Sequence, residues 1–222
     1  MKFDHVFLGQ CILRFQVPLD VFTNLNEIYE LKKKELPDAT KSLAGKIADE
    51  KSLLYNGDDT SKMERHNFLS ADMIHWFEQI FREYLTFTST QNHSMKLFAI
   101  WVNEMKAGEY NPIHVHQGTT YTGLSSVMIL KLPKDMGPEI SRSDQPMNGR
   151  LQIFGSSGGQ FAKTDYAPKV KIGDFFVFPY DMRHCVNPFF NKKEKRRTLV
   201  CNMDVEHDSI ATGNAALWER NE

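Results

Sequence analysis

The chain has 222 residues and a formal net charge of -1, from 27 basic and 28 acidic side chains. This length fits one large domain or a core with an appendage, and it allows a hydrophobic core without disulfide or metal staples. The balanced charge does not favour a nucleic-acid or membrane partner. The basic stretch NKKEKRR at 191–197 is either a localised basic patch or, in the interpretation that we favour, a solvated hairpin turn.

Cysteine usage and apolar runs indicate the compartment. Cys11, Cys185 and Cys201 are widely spaced and odd in number, which suits a reducing environment better than a disulfide framework. The opening segment MKFDHVFLGQ is too polar for a signal peptide. No apolar run approaches the roughly 20 residues that cross a bilayer. We therefore expect a cytoplasmic protein.

Two amphipathic segments dominate the chain before residue 95. PLDVFTNLNEIYELKKKEL and ADMIHWFEQIFREYLTF each place apolar side chains at helical spacing, and Ser70 is suited to cap the start of the second. The stretch between them, YNGDDTSKMERHN, is typical of a loop. We expect residues 1–95 to form a helical support segment that packs on the rest of the fold.

Short strand patterns follow residue 95. Six segments fit strands: KLFAIWVNEM, PIHVHQ, SSVMILKLP, RLQIF, DFFVFP and RRTLVCNMD. Strands after a helical lead predict an α+β protein built on an antiparallel barrel or sandwich. Residues 96–222 would be its core, in one integrated domain with 1–95. The polar stretch 134–149 is either a mobile loop at an active site or an inert insertion.

Three histidines are candidates for a metal site. His114 and His116, in YNPIHVHQG, would project to the same face of a strand. In a barrel that face turns toward the cavity, and imidazole binds iron, zinc, copper and nickel. His184 ends the segment GDFFVFPYDMRH, just after an apolar strand, where it can complete a three-ligand set. The HxH pair alone is equally compatible with structural histidines.

Two arginines begin the last strand pattern, KRRTLVCNMD. Alternation puts Arg196 and Thr198 on one face and Arg197 on the other. Arg196 with Thr198 is the more polar inward pair, and a buried guanidinium needs an anion. A guanidinium beside a threonine hydroxyl is a good receptor for a carboxylate. An exposed hairpin arginine is the alternative.

Together, these segments resemble the iron(II)- and 2-oxoglutarate-dependent oxygenases of the double-stranded β-helix fold. They look most like a small family that bacteria and tailed phages often encode and that is distantly related to prolyl hydroxylases. The resemblance covers residues 96–204. It rests on four blocks of the sequence: WVNEMKAGEYNPIHVHQG, SSVMILKLP, GDFFVFPYDMRHCVNP and RRTLVCN. It implies a jelly-roll or cupin-like barrel as the catalytic core, with the helical segment packed on it.

The resemblance also implies roles for individual residues. His114 and His184 would bind iron, and His116 would take the position that aspartate holds in the better-known HxD sites. Arg196, assisted by Thr198, would bind the distal carboxylate of 2-oxoglutarate. Three asparagines are further candidates for contacts with the cosubstrate or with the metal ligands: Asn103, Asn111 and Asn202.

The sequence departs from the family pattern at three positions. Ser126 stands where the family has glycine, and Ile129 stands where it has a tyrosine that could contact the cosubstrate. Tyr110 or Tyr121 could substitute for that tyrosine. A histidine at position 116 leaves the site one negative charge poorer than two histidines and a carboxylate would. This changes the electropositivity of the metal without forbidding catalysis.

The implied chemistry is hydroxylation. Fe(II), 2-oxoglutarate and dioxygen would produce succinate, carbon dioxide and a ferryl oxidant, and the protein would supply position and a dry cavity. The substrate class stays open between a peptidyl residue, an amino acid and a small metabolite, and the oligomeric state is not predicted.

Two other interpretations compete with this one. A cupin of another activity shares the barrel and the HxH pattern, but cupins normally carry a glutamate a few residues later, where this chain has QGTTYTG. A non-catalytic barrel that serves as a binding module is the second alternative, with His116 as the mark of a lost iron site. The retention of all three histidines and Arg196 favours a metal-dependent role.

Overall fold

The structure is a computed structural model. It describes residues 9–40, 44–61, 63–88, 90, 93–141, 143–156, 158–160, 162 and 164–207. Most of the opening segment judged too polar for a signal peptide, and the end of the predicted 96–222 core, lie outside these residues. Within the described ranges, no helix is long and apolar enough to cross a membrane.

The described residues form two helices and eleven strands. The helices are α1 (Leu19–Lys32) and α2 (Ala71–Phe87). The strands are β1 (Leu13–Gln16), β2 (Glu50–Tyr55), β3 (His66–Asn67), β4 (His93–Met105), β5 (Asn111–His114), β6 (Gly123–Lys131), β7 (Leu151–Phe154), β8 (Asp165–Tyr166), β9 (Asp174–Pro179), β10 (His184–Val186) and β11 (Arg196–His207).

Two antiparallel sheets face each other. The larger has the order β1-β9-β6-β11-β4-β2-β3, and the smaller has the order β5-β10-β7-β8. Non-consecutive strands are neighbours in both sheets, as expected for a double-stranded β-helix. The predicted α+β class with a jelly-roll barrel is confirmed.

The segment before residue 95 contains more than the two predicted helices. Its strands β1, β2 and β3 extend the larger sheet at both edges, and β2 pairs with β4 over Glu50–Tyr55. The expectation of a helical segment did not include these strands, which have only two to six residues each. The boundary at residue 95 stays a prediction.

The two faces of the larger sheet bury different clusters. Its outer face packs against both helices, with Leu25 and Tyr29 of α1 and Phe77 and Phe81 of α2 in one core. Ser70 caps α2 by accepting a hydrogen bond from the Met73 backbone N–H at 3.3 Å. The helical segment therefore supports the barrel from outside, as the sequence predicts.

The inner face of the larger sheet meets the smaller sheet. A second core fills the space between them, with Met105, Ile129 and Phe176 from the larger sheet and Leu151 and Ile153 from the smaller. Residues directly opposite one another across paired strands share a face. The inner face therefore carries a row of side chains in register: Glu50, Asn103, Thr198 and Ile129.

The stretch 134–149 is tied to the body of the protein over its described part. Met136 accepts a backbone hydrogen bond from Phe190 at 2.7 Å, and the Asn148 side chain donates to the Pro138 carbonyl at 2.8 Å. The side chain of Glu139 accepts from the backbone of Ser141 at 2.9 Å. Both interpretations of this stretch, as an active-site loop or as an insertion, stay predictions.

Candidate metal and cosubstrate site

Two of the three histidines lie opposite each other across one strand pair. His114 ends β5, His184 begins β10, and the two are register partners with ring centroids 4.2 Å apart. The sequence predicted a strand over 112–117, but β5 stops at His114 because the backbone N–H of His116 donates to Tyr180 (2.9 Å) and leaves the strand ladder. His116 nevertheless returns to the pair, 5.1 Å from the ring of His114.

The ring nitrogens converge on a single point. One ligand atom from each of His114, His116 and His184 lies within 4.8 Å of the others. Nδ1 of His114 is 2.7 Å from the Pro112 carbonyl, and Nδ1 of His184 is 3.0 Å from the Met182 carbonyl. A carbonyl only accepts, so both Nδ1 atoms carry the proton, and both Nε2 atoms carry the lone pair that can bind a metal.

The environment keeps all three imidazoles neutral. Burial, together with the nearby His114 ring, lowers the pKa of His184 to about 3. Desolvation lowers the pKa of His114 as well, and that of His116 far more. A neutral imidazole is the form that binds a metal, so no proton has to be displaced at neutral pH.

His116 lacks a strand to hold it and is fixed by side chains instead. The indole of Trp101 lies over it, with ring centroids 5.8 Å apart and planes inclined by 31°. The side-chain nitrogen of Asn202 is 3.2 Å from its Nδ1. The sequence pattern did not single out Trp101. This residue shares the inner face with Asn103, and alternation along β4 could have found it.

The turn after His116 is anchored to Asp204, a second residue that the sequence did not single out. Its buried carboxylate accepts from the Thr119 backbone N–H at 3.0 Å and from the Tyr180 hydroxyl at 3.1 Å. Gly118 passes so close that a Cβ there would lie 1.8 Å from the Asp204 Oδ1. The glycine allows this approach, and the carboxylate sets the course of the chain that presents His116.

Arg196 lies on the inner face and is fully buried. Its Nε and Nη2 have no hydrogen-bond partner among the described residues, and its Nη1 lies 3.9 Å from the sulfur of Met105. Burial lowers the pKa of Arg196 to about 10, so the guanidinium is still protonated at neutral pH. A buried cation with unused donors is suited to bind an anion.

Arg197 points to the opposite face and is fully paired. Its Nη2 donates to Glu104 and Glu30, each at 2.5 Å, and its guanidinium lies 4.3 Å from the ring centroid of Tyr29. These contacts tie α1 to β4 and β11. Carboxylates of the protein therefore pair with Arg197, whereas Nε and Nη2 of Arg196 have no partner among the described residues.

The other candidate residues divide between the two ends of the site. Asn103 and Thr198 are buried register partners near Arg196, and Oδ1 of Asn103 is unpaired in the part of the chain that the structure describes. Asn111 lies near the metal end, with its side-chain nitrogen 3.4 Å from Nε2 of His114. Tyr110 and Tyr121, the suggested substitutes for the missing tyrosine, are 43% and 87% exposed.

Glu50 is a buried carboxyl on the same face, and the sequence pattern did not single it out. It opposes Asn103 in the register, and Oε2 has no partner within the described ranges. Burial, together with Asp38, raises the pKa of Glu50 to about 8, and hydrogen bonding to the indole of Trp101 opposes the rise. The carboxyl is therefore largely protonated at neutral pH.

The residues present fit a metal ion and a dicarboxylate. Three neutral imidazoles form a donor set that a divalent first-row metal accepts. The unpaired donors of the buried Arg196 suit the far carboxylate of a ligand that reaches the metal with its other end.

Comparison with known proteins supports the same chemistry. Residues 99–202, just under half of the chain, match the family model described as "Putative 2OG-Fe(II) oxygenase". Over these residues the chain is similar to that family. A 2OG-Fe(II) oxygenase uses Fe(II) as its metal and 2-oxoglutarate and dioxygen as its cosubstrates. A search of curated proteins gave no match.

Solved structures show that the oxygenase fold extends beyond the matched residues. A prolyl-4-hydroxylase of Pseudomonas putida is similar at a TM-score of 0.55 and 13% identity, over 88% of this chain and 92% of that one. AviO1 of Streptomyces viridochromogenes is similar at a TM-score of 0.55 and 15% identity, over 88% of this chain and 90% of that one. A 2OG-Fe(II) oxygenase of Burkholderia pseudomallei is similar at a TM-score of 0.53 and 12% identity, over 88% of this chain and 84% of that one. At these identities the likeness concerns the fold.

Proposed function

We propose that this oxygenase hydroxylates its substrate at a centre held by His114, His116 and His184. The observation that carries the proposal is the convergence of three neutral imidazoles on one point, on the same inner face as a buried arginine with unused donors. The family match over residues 99–202 favours this activity over a cupin of other function and over a non-catalytic barrel.

The three histidines have distinct supports for the role of metal ligand. His114 and His184 are oriented by the Pro112 and Met182 carbonyls. His116 takes the place of a carboxylate, and its position depends on the turn at Gly118 rather than on a strand. The set carries no charge of its own, so a bound divalent ion keeps its full positive charge for anionic ligands.

Arg196 is our candidate for binding the distal carboxylate of 2-oxoglutarate. Its Nε and Nη2 face no partner in the described structure and can donate two parallel hydrogen bonds. Thr198, two residues along the same face, and Asn103, opposite Thr198, are proposed to complete the polar end of the cosubstrate pocket. Asn111, beside His114, is proposed to contact the ligand at the metal end.

When bound, Fe(II) and its cosubstrates supply the oxidation, in which one oxygen atom of dioxygen enters the substrate and the other enters succinate as carbon dioxide leaves. The protein holds the reactants in position and keeps water out. Phe178 packs against His184 with ring centroids 4.8 Å apart, and Trp101 covers His116. These rings shield the histidines on the protein side.

The substrate is proposed to be a peptidyl residue, an amino acid or a small metabolite. Because a prolyl-4-hydroxylase is among the similar folds, a prolyl peptide is the first class to test. Amino acids and small metabolites can then be tested in the same assay.

Turnover of the cosubstrate tests the proposal without knowledge of the substrate. Many such reactions run slowly uncoupled, so 2-oxoglutarate labelled at its first carboxyl group should release labelled carbon dioxide in air with Fe(II). We expect release from the wild type, loss in His184→Ala, and no loss in His75→Ala, which removes an exposed histidine of α2. Equal release from wild type and His184→Ala, with or without prolyl peptides, would contradict the proposal.

A further inference from the structure

His116 differs from the other two histidines in the partner of its Nδ1. Backbone carbonyls hold His114 and His184, whereas His116 meets the side-chain amide of Asn202, with its nitrogen at 3.2 Å. A carbonyl dictates the position of the ring proton because it only accepts. An amide can either donate or accept, depending on how it is turned.

The amide orientation determines which nitrogen of His116 can bind a metal. With the Asn202 nitrogen on Nδ1, that Nδ1 accepts the hydrogen bond, so the ring proton lies on Nε2. Nε2 then points at Nε2 of His184, 3.1 Å away, and donates to it. In this arrangement neither nitrogen offers a lone pair to a metal.

Turning the amide over reverses the arrangement. Oδ1 of Asn202 is buried and has no partner among the residues that the structure describes. Placed on Nδ1, it would accept the ring proton and leave Nε2 free. The amide oxygen and nitrogen have almost the same shape, so a half-turn about the last torsion needs no other movement.

Asn202 lies at an irregular point of the sheet, beside a second unpaired polar group. It lies at a β-bulge between β11 and β4, a feature that re-aims side chains near active sites. Ser125 is its register partner on β6, and its buried hydroxyl has no partner in the described ranges. In this amide orientation, both Oδ1 of Asn202 and the Ser125 hydroxyl are therefore unpaired among the described residues.

We propose that Asn202 is a positioning residue that selects the tautomer of His116, and thereby determines whether the third histidine binds the metal. This inference rests on the proposed three-histidine centre. Asn202 acts through His116 in this account, rather than through the cosubstrate.

Metal binding in matched variants tests the proposal. Anaerobic titration with Co(II), followed by its visible absorption, measures affinity and coordination without turnover. Loss of a contact behind a metal-binding histidine typically weakens binding about 10–100-fold, so we expect that loss in Asn202→Ala. Asn202→Asp, whose carboxylate only accepts, should bind at least as tightly as the wild type.

A double-mutant cycle separates positioning from a general structural effect. In the His116→Ala background, Asn202→Ala should cause no further loss of Co(II) affinity, because the residue it acts through is gone. In the metal-free protein, imidazole nitrogen chemical shifts should place the His116 proton on Nε2 in the wild type and on Nδ1 in Asn202→Asp.

The contradicting outcomes are distinct. Unchanged Co(II) affinity in Asn202→Ala, or an equal loss in the presence and absence of His116, would overturn the inference. If Asn202→Ala does not fold, the near-isosteric variant Asn202→Asp still tests the inference. Weaker Co(II) binding by Asn202→Asp than by the wild type would also overturn the inference. Equal Co(II) binding by wild type and His184→Ala would instead refute the metal centre on which the inference rests.

Discussion

The Nε2 atoms of His116 and His184 lie 3.1 Å apart, and their rings are nearly parallel, at 5°. Two neutral imidazoles with facing lone pairs repel each other unless a proton or a cation lies between them. Zinc, for example, binds an imidazole nitrogen at about 2.0–2.1 Å. Two nitrogens that bind one such ion with a right angle at the metal are therefore about 3 Å apart. The spacing of the pair therefore suits both the hydrogen bond that His116 donates in the metal-free protein and a metal ion that the two nitrogens share.

His116 is the ligand whose role is most open to test. We expect His116→Ala to weaken Fe(II) binding by about tenfold or more, since a ligand is worth at least as much as a contact behind it. His116→Asp should retain binding, because its carboxylate adds charge to the same position. Anaerobic Fe(II) titration checks both. Unchanged affinity in His116→Ala, with His75→Ala as control, would show that His116 is not a ligand.

The two neighbouring arginines predict opposite effects on stability. Arg196→Met removes a buried cation whose Nε and Nη2 have no partner among the described residues, so the ligand-free protein should melt at a higher temperature. The same change should weaken 2-oxoglutarate binding about 10–100-fold, since hydrogen bonds to charged groups contribute about 1.5–3 kcal/mol. Thermal melting with and without 2-oxoglutarate measures both effects.

Arg197→Met is the matched control for this pair. It breaks a buried ion pair with Glu104 and a half-exposed one with Glu30. Loss of one partner of a buried pair typically costs about 3–5 kcal/mol. We expect a lower melting temperature with little change in 2-oxoglutarate affinity for the folded protein. If both variants lost 2-oxoglutarate binding equally, the division of roles between the two faces of β11 would be wrong.

The contact between Gly118 and Asp204 predicts a remote effect on the metal. Gly118→Ala places a methyl group against the Asp204 carboxylate, so the turn must shift and carry His116 with it. We expect lower thermal stability and weaker Fe(II) binding. Gly158→Ala, where a methyl group meets open space, is the control. Normal iron affinity in a destabilised Gly118→Ala variant would mean that the turn does not position His116.

Glu50 predicts a pH-dependent stability. Its pKa is raised from 4.5 to about 8 in the folded protein, so the folded state holds the proton more tightly than the unfolded chain. Its contribution to stability is therefore fully present below about pH 4.5 and is lost as the pH rises toward 8. Glu50→Gln should remove this loss. In melting experiments on metal-free protein, the melting temperature of Glu50→Gln should exceed that of the wild type by a margin that grows between pH 5 and pH 8. A constant margin would contradict the raised pKa of Glu50.

The sequence predicted the parts of this site that depend on strand alternation. Arg196 and Arg197 were assigned to opposite faces from period-two alternation alone, and the structure shows that separation. His114 and His184 could be named from their places beside apolar strands. Alternation is visible in one sequence because each strand carries it locally.

The sequence could not predict contacts that depend on tertiary packing. His116 lies beyond the end of β5, and its position depends on Trp101, Tyr180 and Asp204, which are far from it in the chain. The strand β2, which places Glu50 in the inner row, was missed because six residues of mixed polarity carry little periodicity. Likewise, the unused donors of Arg196 are visible only when all neighbouring groups are in place.

The most direct test of the central claim is the absorption of the assembled centre. Under anaerobic conditions, the wild type with Fe(II) and 2-oxoglutarate should show the weak visible charge-transfer band of the metal-bound cosubstrate, and 2-oxoglutarate should raise its melting temperature. His184→Ala should show neither effect. Absence of the band in a folded wild type that 2-oxoglutarate does not stabilise would contradict the account.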